Sequence, residues 1–166
     1  MGTTIVIRAS MHMFLLYMYL PAFLANGTPV IVRWLPLLRA WNAPISVPLF
    51  GAHKTWRGFV TGICVGAITG MLMHPFAGVV FGTLLGTGAL LGDLCKSFVK
   101  RRIGIPPGAP WFPWDGIDYT AGALILGAVI RVPSIADVII LLIAGPVLST
   151  LANLLSYFLG LKETWH

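Results

Sequence analysis

Hydrophobic and polar positions in this chain separate into long uncharged runs and short charged segments. Residues 11–32 form a run of 22 without a formal charge, long enough for a membrane-spanning helix whose second half is distorted by Pro21, Asn26 and Pro29. Residues 59–92 form a second uncharged run, of 34. As one helix it would be about 51 Å long, well beyond the ~30 Å apolar thickness of a bilayer. His74-Pro75 lies near its middle, so the run reads as two antiparallel spans joined by a tight turn. Gly62, Gly66 and Gly70 recur every four residues in the first half, and Gly78, Gly82 and Gly86 do so in the second. Each triplet makes a smooth stripe on one helix face, which is a packing device rather than a ligand site.

The run 119–130 is shorter, and spans only if it extends back towards Trp111 and if Arg131 snorkels. Residues 138–161 number 24 and span easily, with a bend expected at Pro146. The pattern predicts an all-α integral membrane protein forming a single domain. Five transmembrane helices are expected at about 11–32, 57–74, 76–98, 114–131 and 137–161, with two functional cytoplasmic loops.

Composition agrees. Of 166 residues, 57% are hydrophobic and 10% charged, with a mean hydropathy of +0.88. A soluble domain carries about 25% charged residues, so a water-soluble globule is excluded, and so is disorder. Cys64 and Cys95 make no CxxC pair or disulfide framework. The first ten residues hold one Arg and no small-residue cleavage site, so no removable signal peptide is read. The formal charge is +6. With five spans, Arg33, Arg39, Lys54, Arg57, Lys96, Lys100, Arg101, Arg102 and Lys162 share one side, against Arg8 and Arg131 on the other. That asymmetry puts the N-terminus outside, and the C-terminus and both long loops in the cytoplasm.

The chemistry concentrates after the third run. Three of the five acidic residues, Asp93, Asp115 and Asp118, lie between 92 and 118, with Lys96, Lys100, Arg101 and Arg102. A helix continuing from the third span places Asp93, Lys96 and Lys100 on one face, and Asp115 and Asp118 share a face at the start of the fourth. Four prolines in 105–113 stiffen the crossing between them. Aspartates supply the hard oxygens that Mg²⁺ takes beside substrate phosphates, and Lys and Arg neutralise the remaining phosphate charge. The competing reading, a basic patch on anionic lipid, does not call for three aspartates. The first loop adds Lys54, Thr55, Arg57 and Gly58 before the second span, which suit anion binding at a helix start. Alone they are equally ordinary interface anchors. His12 and His74 read as interfacial and turn residues, Asn153 as an interhelical hydrogen bond, and Ser149 and Ser156 lack the partners of a nucleophile.

At these loops the sequence resembles the CDP-archaeol synthase family, archaeal membrane enzymes related to phosphatidate cytidylyltransferases. The resemblance rests on Leu20-Pro21-Ala22 through Asn26, on Lys54-Thr55-Trp56-Arg57-Gly58, on Gly92-Asp93 with Lys96-Ser97-Phe98 and Lys100-Arg101-Arg102, and on Pro107-Gly108 through Pro113 to Asp115 and Asp118. Two departures stand out: Ala52-His53 replace an acidic-glycine pair before Lys54, and Gly116 takes a Gln position between the last two aspartates.

The resemblance implies transfer of CMP from CTP to 2,3-di-O-geranylgeranylglycerol 1-phosphate, releasing pyrophosphate, in a cell membrane with the active site on the cytoplasmic side. Mg²⁺ is the implied cofactor, and no nucleic acid polymer is implied as a partner. The expected metal ligands are Asp93, Asp115 and Asp118, with Lys96 also in the catalytic set. Lys54, Thr55, Arg57, Gly58, Lys96, Lys100 and Arg101 form the expected phosphate cradle. A cradle is blind to the base, so cytosine selection is expected from stiff non-helical backbone at 48–53 or 106–113, with Phe50, Gly51, His53, Pro110 and Trp111 as the candidates. The residues leave two alternatives open. One is a membrane cytidylyltransferase acting on phosphatidic acid or a polyprenol phosphate. The other is a non-enzymatic small transporter or assembly subunit.

Overall fold

In the computed structural model the described residues are Leu15, 17–36, 38–107 and 109–161; Arg8, His12, Gly108, Lys162 and the start of the first uncharged run lie outside them. Among these described residues five main helices follow in order: α1 Leu20–Val32, α2 Trp56–Met73, α3 Ala77–Arg102, α4 Trp114–Gly127 and α5 Ile135–Phe158. Among the described residues there is no strand, only an isolated bridge between Pro44 and Thr55. A 3₁₀ turn at Arg39–Trp41 and a single helical turn at Val47–Phe50 lie between α1 and α2. By length and composition α2, α3 and α5 are able to cross a membrane, and α1 is a shorter apolar helix.

The glycine stripes explain how α2 and α3 meet. A Cβ on Gly66 would lie 2.7 Å from the Gly82 carbonyl oxygen, and one on Gly70 would overlap the Gly78 carbonyl. The two stripes therefore face each other across an antiparallel hairpin, with the chain reversing at residues 74–76. α1 lies over this hairpin, where a Cβ on Gly62 would come within 2.8 Å of the Ala25 carbonyl. Further along α3, Gly88 and Gly92 bring the backbone against Gly122 and Asp118 of α4. Tyr19, Ala22, Leu85, Ala89, Ala123 and Leu141 fill the centre.

Helix ends differ from the uncharged runs for local reasons. α5 begins at Ile135, ahead of the expected 137, because Ser134 and Asp137 form a capping box: Asp137 N–H donates to Ser134 Oγ (3.2 Å) and Ser134 N–H to Asp137 Oδ2 (3.1 Å). α4 has 14 residues and is about 21 Å long. It stops at Gly127 rather than 131, and the chain turns through 128–130. Val47–Phe50 is helical, so the stretch 48–53 is non-helical only from Gly51.

Candidate active site

Three segments converge where α3 and α4 come together. Gly92 sets their separation, since without a side chain it lets Asp118 approach the α3 backbone directly. Asp93, Lys96 and Lys100 project from one face of α3, as their i, i+3, i+7 spacing requires. Lys96 sits among three carboxylates: its Nζ lies 2.7 Å from Asp118 Oδ2, 3.2 Å from Asp93 Oδ1 and 3.3 Å from Asp115 Oδ1. Lys100 is buried, 3.1 Å from Asp115 Oδ1, and also donates to the Ala109 carbonyl. Asp115 accepts a further bond from the Trp111 amide, which ties the proline-rich crossing to the first turn of α4.

The first loop is brought in by backbone pairing. Ile45 N–H donates to the Lys54 carbonyl (2.8 Å) and Trp56 N–H to the Ala43 carbonyl (3.1 Å), so 43–45 and 54–56 run antiparallel. This holds Lys54 where its ammonium pairs with Asp93. Thr55 is the N-cap of α2 and accepts from Gly58 N–H at 3.2 Å, which commits both groups to starting the helix. Arg57 is buried. Arg101 has two buried guanidinium nitrogens, Nε and Nη1, without a hydrogen bond, whereas Arg102 is exposed and lies over the Phe98 ring at 5.1 Å.

Two cavities flank the cluster. A small one of about 50 Å³, too small to enclose a nucleotide, is lined by His53, Lys54, Thr55, Gly58 and Asp93 with apolar neighbours. A larger one of about 460 Å³ lies between α3 and α4. Its walls are almost wholly apolar, including Leu91, Val99, Trp111, Trp114 and Ile125, and Lys96 and Asp118 are its charged members. Of the residues expected to read a base, His53 faces the first cavity and Trp111 the second, with Trp111 packed on Trp114 at 5.8 Å. Gly51 (φ +89°) lies against Pro107, so the two stiff stretches touch. Pro110 is exposed and lines neither cavity.

The three aspartates do not form a ready-made metal cage. Among the described residues, no group of three carboxylate, imidazole or thiol side chains is placed to hold one ion. The centre of the carboxylates is taken by Lys96 in this arrangement. Asp118 Oδ1 is nevertheless buried without a hydrogen bond, and Mg²⁺ needs only one or two carboxylates when phosphates complete its shell. Sequence reasoning missed Lys96 as the centre, because three separate carboxylates meeting one ammonium is a tertiary fact.

Comparison with known proteins follows the same direction. The family model for CarS-like CDP-archaeol synthase matches residues 7–166. A CDP-archaeol synthase of Thermofilum pendens is 37% identical over 155 residues, covering 87% of this chain and 76% of that protein. One from Pyrococcus abyssi is 35% identical over 156 residues, covering 87% and 92%. A solved structure described as an intramembrane enzyme for archaeal membrane lipid biosynthesis superimposes with a TM-score of 0.70 at 29% identity, over 82% of this chain and 90% of that one.

Proposed function

The chain belongs to the CDP-archaeol synthase family, and from that premise we propose that its charged cluster transfers CMP from CTP to 2,3-di-O-geranylgeranylglycerol 1-phosphate. The activity is that of a CTP-dependent lipid cytidylyltransferase in archaeal phospholipid biosynthesis. The observation that supports this placement is Lys96, which gathers aspartates from two helices between a small cavity edged by His53, Lys54 and Asp93 and a large apolar one. CTP takes the side of Lys54 and His53. The lipid phosphate takes the side of Lys96 and Asp118, with its isoprenoid chains along the apolar walls. In this reading α1 to α5 are five spans with the N-terminus outside, and the site opens to the cytoplasm.

The lipid phosphate is anionic near neutral pH, so no side-chain nucleophile is required. Its oxygen forms a bond to the α-phosphorus of CTP while the bond from that phosphorus to the β-bridging oxygen breaks, releasing pyrophosphate. Lys54 leaves Asp93 for the nucleotide phosphates, and Lys96, Lys100, Arg57 and Arg101 neutralise the rest. Holding the two anions side by side removes the entropy of their encounter. Asp93 and Asp118 would hold Mg²⁺ with phosphate oxygens, and its chemistry is charge neutralisation on the leaving group. Asp115, engaged by Lys100 and the Trp111 amide, instead anchors the proline-rich crossing.

Purified protein with CTP and Mg²⁺ tests this directly. Pyrophosphate release and a CDP-lipid are expected with the ether lipid phosphate, at a higher rate than with phosphatidic acid or a polyprenol phosphate. A protein that binds no CTP under any lipid condition would be a transporter or assembly subunit, and the proposal would fall.

A further inference from the structure

α5 contributes no charged group to the cluster, yet it holds the aspartate-bearing turn of α4 from behind. Tyr119, next in the chain to Asp118, is buried, and its hydroxyl donates to the Gly145 carbonyl of α5 at 2.7 Å. Ser149 Oγ, one turn further along α5, donates to the Asp115 carbonyl at 3.4 Å. Between these bonds the backbones touch: Gly116 lies directly against Pro146, and Gly145 against Thr120 and the Gly116 carbonyl. No side chain fits at Gly116, because a Cβ there would overlap Pro146. The small residue between Asp115 and Asp118 is therefore matched to the proline on the facing helix. On its other side the Tyr119 ring meets Phe23 of α1 edge-on, with centroids 5.9 Å apart.

We infer that Tyr119 is a positioning residue: its bond to Gly145 sets the rotation of the first turn of α4, and so the placement of Asp118 against Lys96 and the apolar groove. This rests on the reading of that groove as the lipid side. The consequence is asymmetric. The basic groups assigned to the nucleotide lie on α3, the first loop and the first turn of α2, and none lies on α4. Asp118, Ile117 and Trp114, which line the groove, all lie on α4. A change in the phase of α4 should then disturb the lipid phosphate and the transfer step while leaving metal-free CTP binding, which rests on those basic groups, intact.

Tyr119→Phe removes only the hydroxyl. The expected result is a kcat lower by about 10-fold, with full-stoichiometry CTP binding and a CTP dissociation constant, both measured without Mg²⁺, within 2-fold of the parent. A role in stability alone would lower kcat and the number of CTP sites in proportion, and would overturn the proposal, as would unchanged kcat. If Tyr119→Phe does not give folded protein, Ser149→Ala carries the test through the second bond. There a 2- to 3-fold fall in kcat at unchanged CTP affinity supports the positioning role, and unchanged kcat overturns it. Failure of the parent protein to make any CDP-lipid would instead remove the functional reading itself, so the two failures are distinguishable.

Discussion

Lys96 Nζ on α3 lies 2.7 Å from Asp118 Oδ2 on α4, and both side chains are shielded from solvent. This pair joins the two helices beside Gly92, where their backbones come into direct contact. Removing one member of a buried pair leaves an uncompensated charge and costs about 3–5 kcal/mol. Lys96→Met is therefore expected to lower the thermal unfolding temperature in detergent and to abolish pyrophosphate release. Adding Asp118→Asn should restore much of the stability and none of the activity. A double variant no more stable than the single one would show that the pair is not what holds these helices.

Asp93 pairs with both Lys54 and Lys96. Asp93→Asn keeps the shape and removes the charge. A loss of about 100-fold in kcat is expected if that charge contributes ~3 kcal/mol to the transition state. Because Lys54 is released, CTP affinity measured without Mg²⁺ should hold or rise slightly. Turnover near the parent value at ordinary Mg²⁺ would take Asp93 out of the site.

The basic triplet at the end of α3 separates by helix phase. Lys100 is buried on Asp115 and the Ala109 carbonyl, while Arg102 rests on the exposed Phe98 ring. Lys100→Ala is expected to weaken CTP binding by at least 10-fold and Arg102→Ala by less than 2-fold, read by calorimetry. The reverse order would place the nucleotide on the opposite face of α3.

How far the sequence carried the structure follows from which residues act locally. The shared face of Asp93, Lys96 and Lys100 is a property of one helix, and its spacing was enough to find it. The Gly62-Gly66-Gly70 stripe announced close packing, but its partner stripe on α3 became clear only in the fold, since GxxxG names no partner. Hydropathy started α5 late because apolar runs register burial, whereas the helix start is fixed by the polar Ser134–Asp137 box. The pairing of 43–45 with 54–56 has no periodic signature at all, and it is what delivers Lys54. The Gly116 departure has no local cause in the sequence, because the residue that demands it, Pro146, lies on another helix.

Glycine positions give a stability contrast that needs no substrate. A Cβ at Gly70 would overlap the Gly78 carbonyl, while one at Gly27 on α1 meets nothing within 4 Å. Gly70→Ala should force the hairpin apart and lower the unfolding temperature markedly. Gly27→Ala should be neutral or stabilising by up to ~1 kcal/mol, since alanine restricts the unfolded chain. Equal effects at the two sites would mean that α2 and α3 do not meet through their stripes.

We propose that nucleotide choice lies on one side of the cluster. All nucleoside triphosphates share one tail, so discrimination of cytosine needs donors and acceptors away from Lys54, Lys96 and Lys100. His53 lines the small cavity beside Lys54 and Asp93, and the Gly51 backbone beside it is held open at φ +89° against Pro107. Trp111 lies on the other side, in the apolar groove with Trp114. An indole there suits an isoprenoid chain, whose contact is apolar and sets no hydrogen-bond pattern. Trp111→Ala should therefore raise the KM for the lipid several-fold and leave the CTP KM and the rejection of UTP unchanged. Phe50→Ala and His53→Ala should do the opposite, raising the CTP KM or relaxing discrimination against UTP with the lipid KM intact. Steady-state kinetics with each substrate varied in turn separates the two. If Trp111→Ala weakens CTP and admits UTP, the base lies in the groove, and the assignment of the two cavities must be exchanged.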